Sequence, residues 1–66
     1  MKGEVCEVYK GYGTVKITPP AGAGESSTYR GYIKVDVKQG FLIVTDRHAN
    51  KITVFPTGSK AEISPT

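Results

Sequence analysis

The sequence predicts an all-β chain, a small antiparallel barrel or curled meander sheet of five or six strands. Three observations predict it. No window carries apolar residues at helical spacing. Eight Gly and four Pro punctuate the 66 residues. Between them lie runs rich in Val, Ile, Thr and Tyr, residues that suit a pleated, half-buried surface.

The first predicted strand is Glu4 to Tyr9, where Val5 and Tyr9 share one parity and Cys6 and Val8 the other, a conflict that a bulge or an edge position reconciles. Gly11-Tyr12-Gly13 then supplies permissive backbone for a tight turn into a second strand, Thr14 to Thr18, with Val15 and Ile17 inward. Residues 19–28, low in bulk and rich in Pro, Gly and Ser, read as a flexible loop. Tyr29 to Lys38 alternates best: Tyr29, Gly31, Ile33, Val35 and Val37 fall on one face, and Arg30, Tyr32, Lys34, Asp36 and Lys38 on the other.

Gln39-Gly40 turns the chain into Phe41-Leu42-Ile43-Val44, which is apolar on both faces and therefore calls for cover on both sides. Either Phe41 and Ile43 or Leu42 and Val44 face the core. Arg47-His48-Ala49-Asn50 reads as a hairpin loop, with Asn50 suited to the left-handed region and Asp46 to accepting local backbone bonds. Lys51 to Phe55 is the next strand, Pro56-Thr57-Gly58 ends it, and Lys60 to Ser64 forms a short last strand that pairs with the first and closes the sheet. The expected core centres on Ile33, Val35, Val37, Phe41, Ile43, Ile52 and Val54. Such a chain is expected to be a single domain over residues 1–66, built as an SH3-like or OB-like small barrel.

Size and composition narrow the function. A domain this short buries only about 60% of the surface its unfolded chain exposes, and a second copy is a common way to steady it. A homo-oligomer is expected. Cys6 is the only Cys and His48 the only His, so neither an internal disulfide nor a Cys/His metal cluster can be assembled, and no metal or cofactor is expected. The lone thiol suits a cytoplasmic setting. The longest aliphatic and aromatic run, Phe41 to Val44, is far too short to span a membrane, and no export signal is visible at the N-terminus. Nine Lys and Arg against six Asp and Glu give a net charge of +3, which permits a polyanion partner without demanding one.

No catalytic residue is expected. Asp46-Arg47-His48 places an acid beside a histidine, but in a hairpin loop chosen for backbone geometry and solubility; Glu4 and Glu7 fall on opposite faces of a strand. Gly22-Ala23-Gly24 lacks the Lys-Ser/Thr of a phosphate loop and the third glycine of a dinucleotide fingerprint.

Lys10-Gly11-Tyr12-Gly13-Thr14-Val15-Lys16-Ile17 resembles the RNP1 pattern of RNA-binding sheets, of which the all-β cold-shock proteins carry a close variant. The likeness rests on Lys10, Gly11, Tyr12, Gly13 and Val15, while the pattern has aromatics where this chain has Thr14 and Ile17. In that pattern the aromatics are the platforms on which bases stack, so the departure at Thr14 and Ile17 touches the function the resemblance implies rather than the scaffold. If the strands flanking residues 19–28 are neighbours, Lys16 joins Arg30, Tyr32, Lys34 and Lys38 in a basic stripe; with Tyr12 and Tyr32 to stack on bases, this is the candidate polyanion-binding face. The apolar strand gives the leading expectation: Phe41, Leu42, Ile43 and Val44 contain the candidate interface of a non-enzymatic protein-interaction or self-assembly module, with single-stranded nucleic-acid binding as the alternative.

Overall fold

The computed structural model describes residues 5–66. Five strands form one antiparallel sheet: β1 (Val5–Thr18), β2 (Ser27–Lys38), β3 (Phe41–Asp46), β4 (Lys51–Phe55) and β5 (Lys60–Pro65), in the order β4-β3-β2-β1-β5. The first four strands run as a meander and β5 returns beside β1. The last strand does not close the sheet as expected: it pairs with Gly13 to Thr18, over the predicted second strand, and the sheet stays open with β4 and β5 as its two edges.

Two predicted strands are in fact one. Gly11-Tyr12-Gly13 is not a turn but the middle of β1, paired in order with Ile33, Tyr32 and Gly31 of β2. The mixed parity before it comes from a register shift between Glu7 and Tyr9, which leaves Val8 as the extra residue of a bulge. Glu4, the expected first residue of that strand, lies outside the described residues. Glycine at position 13 has a packing reason: a Cβ there would lie 2.6 Å from the Ser64 carbonyl oxygen, so β5 could not approach β1 so closely. The expected 19–28 loop is shorter by two residues, because Ser27 and Thr28 pair with Ile17 and Lys16. Within it the Ala23 amide donates to the Pro20 carbonyl at 3.0 Å.

The Gln39-Gly40 turn has φ of 53° and 86° and joins the directly opposed Lys38 and Phe41. Positive φ at both central residues is the type I′ geometry, whose twist matches that of the flanking strands. This turn decides the phase of β3. Lys38 faces outward, so its partner Phe41 must too, and Leu42 falls opposite inward-facing Val37.

The expected core is corrected accordingly. Val15, Ile17, Ile33, Val35, Leu42, Val44 and Phe55 form it, with Tyr9, Tyr29, Val37, Ala61 and Ile63 packed around them. Phe41, Ile43, Ile52 and Val54 point the other way, and Leu42 and Val44 are core residues rather than interface candidates.

The sheet curls over this core. Phe55 lies at the level of Val37, because Leu42 pairs with both. Tyr29 is eight residues back along β2, about 26 Å at the rise of an extended strand. Yet the Tyr29 and Phe55 rings meet at a centroid distance of 6.3 Å. Only a folded sheet allows this. The first half of β2, with the second half of β1 and β5, lies over the second half of β2, with β3 and β4. The bend falls at the opposed pair Gly13 and Gly31, where Gly31 takes φ of 117°.

Candidate functional site

The outer face of the curled sheet carries two surfaces of different chemistry. Strand pairing assigns them, because directly opposed residues share a face. On β1 and β2 the outward pairs are Lys16 with Thr28, Thr14 with Arg30, Tyr12 with Tyr32, and Lys10 with Lys34. On β3 and β4 they are Thr45 with Ile52 and Ile43 with Val54, with Phe41 beyond them.

The β1–β2 surface centres on its two tyrosines. Their rings meet edge to face at 4.9 Å, and Tyr12 is 64% exposed. Backbone contacts fix Tyr12: its carbonyl accepts hydrogen bonds from the Tyr9 hydroxyl and from the Thr66 amide, the latter at 3.1 Å. Tyr32 is tied to the β3–β4 loop, since its carbonyl accepts the Arg47 amide at 3.1 Å and the Arg47 guanidinium carbon lies 5.7 Å from its ring centroid. A cation over a tyrosine face at this distance is favourable by roughly 0.5–1 kcal/mol at an exposed site. Asp46 holds the loop in shape, its Oδ1 accepting the amides of His48 at 3.0 Å and Ala49 at 3.2 Å. Asn50 closes the loop with φ of 54°.

Tyr12, Tyr32, Arg47 and His48 thereby line an open cleft of about 320 Å³. Lys10 and Lys34 stand opposite one another beside it, and like charges directly opposed on a sheet are destabilising. Asp36 relieves this in part, its Oδ2 lying 3.9 Å from Lys34 Nζ. Asp36 is buried and Lys34 only partly exposed, so the carboxylate is a largely desolvated charge whose ion-pair partner is this lysine, at the outer limit of ion-pair distance.

Each candidate polyanion-binding residue faces outward, but not all come together. Tyr12, Tyr32, Lys34 and Arg30 cluster about the cleft. Lys16 sits farther along β1 opposite Glu62 of β5, and Lys38 is six residues beyond Tyr32, beside Phe41. Lys10, Arg47 and His48 were not among the candidates. The signal for Arg47 was present in the turn chemistry: counting back from a two-residue hairpin at Gln39-Gly40 sets Tyr32 opposite Arg47.

The β3–β4 surface is apolar. Phe41 is 43% exposed, Ile52 67% and Val54 60%, with Ile43 half-buried among them. Of the four candidate interface residues, Phe41 and Ile43 are on this surface. It runs to the open edge of β4, a strand of five residues that begins at Lys51 and is followed by Pro56. The β5 edge differs, with Lys60 and Glu62 outward and Pro65 within the strand.

Among the described residues no helix is long and apolar enough to cross a membrane. Comparison of the chain with protein-family models, curated proteins and solved structures finds no match.

Proposed function

We propose that this chain is a non-enzymatic binding and assembly module, whose outer β3–β4 surface packs against the same surface of a second copy. The observation that carries the reading is the run of Phe41, Ile43, Ile52 and Val54 on one face beside the open edge of β4. Exposed apolar side chains grouped on one face mark a place where another chain packs. Edge pairing through β4 would satisfy its free amides and carbonyls, but would leave these side chains in water. Face-to-face packing at about 10 Å removes them from it. Four side chains per copy fall short of the roughly 800 Å² per partner of a standard interface, so the expected dimer is weak and concentration-dependent.

The reading includes the curled sheet as a small barrel of SH3-like rather than OB-like type, because its first four strands form a meander where the OB arrangement is a Greek key. An exposed, unpaired Cys6 fits a cytoplasmic setting. The absence of catalysis is supported by Asp46, whose carboxylate is engaged by loop amides as a turn residue's is. Sedimentation velocity across a wide concentration range tests the assembly. A rising weight-average mass that Val54→Lys abolishes supports it; a monomer at all concentrations overturns it.

A second reading, single-stranded nucleic-acid binding on the β1–β2 surface, is favoured by one observation: Tyr12 and Tyr32 stand directly opposite each other, with Lys10, Lys34 and Arg30 around them. The two surfaces are separate, so the readings are compatible.

A further inference from the structure

We infer that the cleft lined by Tyr12, Tyr32, Arg47 and His48 is the anchoring subsite for one nucleotide of a single-stranded nucleic acid, with the base on Tyr12 and the phosphate on Arg47. The inference rests on the nucleic-acid reading and adds to it a place, an orientation of the nucleotide and two residues.

The chemistry of the walls selects the ligand. Two aromatic rings ask for a flat or apolar group, and exposed tyrosine rings accept any base because every base has a π face. The charged group in the cleft is Arg47, with the His48 imidazole beside it and Lys10 and Lys34 next along the strands. The carboxylate nearest in sequence, Asp46, is occupied by the amides of His48 and Ala49. A cationic ligand such as a methylated lysine would therefore meet like charge, while a flat anion meets complementary charge.

Arg47 is held in the arrangement this role needs. A guanidinium lying over a ring keeps its in-plane N–H donors free, and these donors match a phosphate in a bidentate fork. The edge-to-face contact between Tyr12 and Tyr32 and the two bonds to the Tyr12 carbonyl orient the stacking ring before a ligand arrives. A cleft of about 320 Å³ is at the lower limit of small-molecule sites, enough for one nucleotide unit.

A strand rather than a free nucleotide is indicated by what continues outside the cleft. Arg30 and Lys34 flank Tyr32 on the outer face of β2, four residues and about 13 Å apart along an extended strand, so cations lie on both sides of the cleft. Lys10 widens this track at Lys34. A mononucleotide would leave these cations unused.

The test is fluorescence anisotropy with a short labelled oligo(dT), titrated at low and near-physiological salt, on the wild-type protein and four variants whose thermal unfolding is checked in parallel. Tyr12→Ala is expected to weaken binding about tenfold while Tyr12→Phe retains it, because a ring and not a hydroxyl is required. Arg47→Ala is expected to weaken it about tenfold and to lower the salt slope by about one phosphate contact. Thymidine monophosphate is expected to compete poorly. If Tyr12→Ala and Arg47→Ala bind like wild type while the Lys10→Glu, Lys34→Glu double variant does not, the nucleic-acid reading stands and the cleft is overturned. If the wild-type protein does not bind at low salt, both fall. If the mononucleotide competes as well as the strand, the strand is overturned in favour of a free nucleotide.

Discussion

The two outer surfaces of this sheet are built from the same periodicity and end in opposite chemistry. On β1–β2 the outward positions hold Lys10, Tyr12, Arg30, Tyr32 and Lys34; on β3–β4 they hold Phe41, Ile43, Ile52 and Val54. Both cost something in the isolated chain. The first sets two lysines opposite each other, and the second leaves β-branched side chains in water beside an open edge. Neither feature helps the core that lies beneath both surfaces. In a domain with few residues to spare, this division is what the proposed contacts on the two surfaces would account for.

The largest expected effect breaks the comparison by destroying the layer the two surfaces share. Ile33 and Val44 are fully buried beneath them. Ile33→Ala is expected to remove about 2–5 kcal/mol, from a total that is roughly 3–10 kcal/mol for a chain of this length. Urea unfolding with a shifted midpoint reads this directly. Val44→Lys is expected to leave no folded protein, since it places an unpaired charge in the core. A cooperative unfolding transition retained in Val44→Lys would show that β3 is in the opposite phase.

Gly13→Ala attacks the bend between the surfaces. The added methyl meets the Ser64 backbone oxygen, so β5 must move away from β1 or the strand must shift, at a cost of about 1–3 kcal/mol. Hydrogen exchange is expected to accelerate first in β5 and at the Thr66 amide, which bonds the Tyr12 carbonyl.

Val54→Lys sharpens the comparison by separating folding from contact. Its side chain is mainly exposed, so monomer stability is expected to stay within about 0.5 kcal/mol. Association measured by sedimentation is expected to disappear, while oligonucleotide binding remains. Loss of both activities in this variant would mean that the two surfaces act as one.

The smallest effect concerns the hairpin that fixes both surfaces in phase. Gln39 holds positive φ, which a type I′ turn accommodates better in asparagine. Gln39→Asn is expected to raise stability by about 0.5 kcal/mol, seen as a later urea midpoint, with assembly and nucleic-acid binding unchanged.

Much of the sheet was legible in the chain, and the reasons are local. The alternation from Tyr29 to Val37 reports a strand with one buried face, and Asp46 and Asn50 report the loop that they close. The correct phase of Phe41 to Val44 was also available, because a two-residue turn fixes which residues oppose. The apolar run alone could not give it, since both faces of that strand read the same. Arg47 and His48 read as turn residues when set beside Asp46, and their place next to the tyrosines follows only from the register that carries Arg47 opposite Tyr32 and the pairing that brings Tyr12 there.

By itself, then, the sequence determined the β class, the turn at Gln39-Gly40 and the outward set of β2. The tertiary structure decided that Gly11 to Gly13 continues as one strand, that Tyr12 stands opposite Tyr32, and that β5 pairs with the second half of β1 without closing the sheet. The reason is the reach of the information. A tight turn carries its register to the strands on either side, whereas an eight-residue loop and a bulge at Val8 erase it. The pairing of β1 is then set by the curl that brings Tyr29 onto Phe55 and buries Val15 and Ile17 against Ile33 and Val35, a long-range burial that no local pattern encodes.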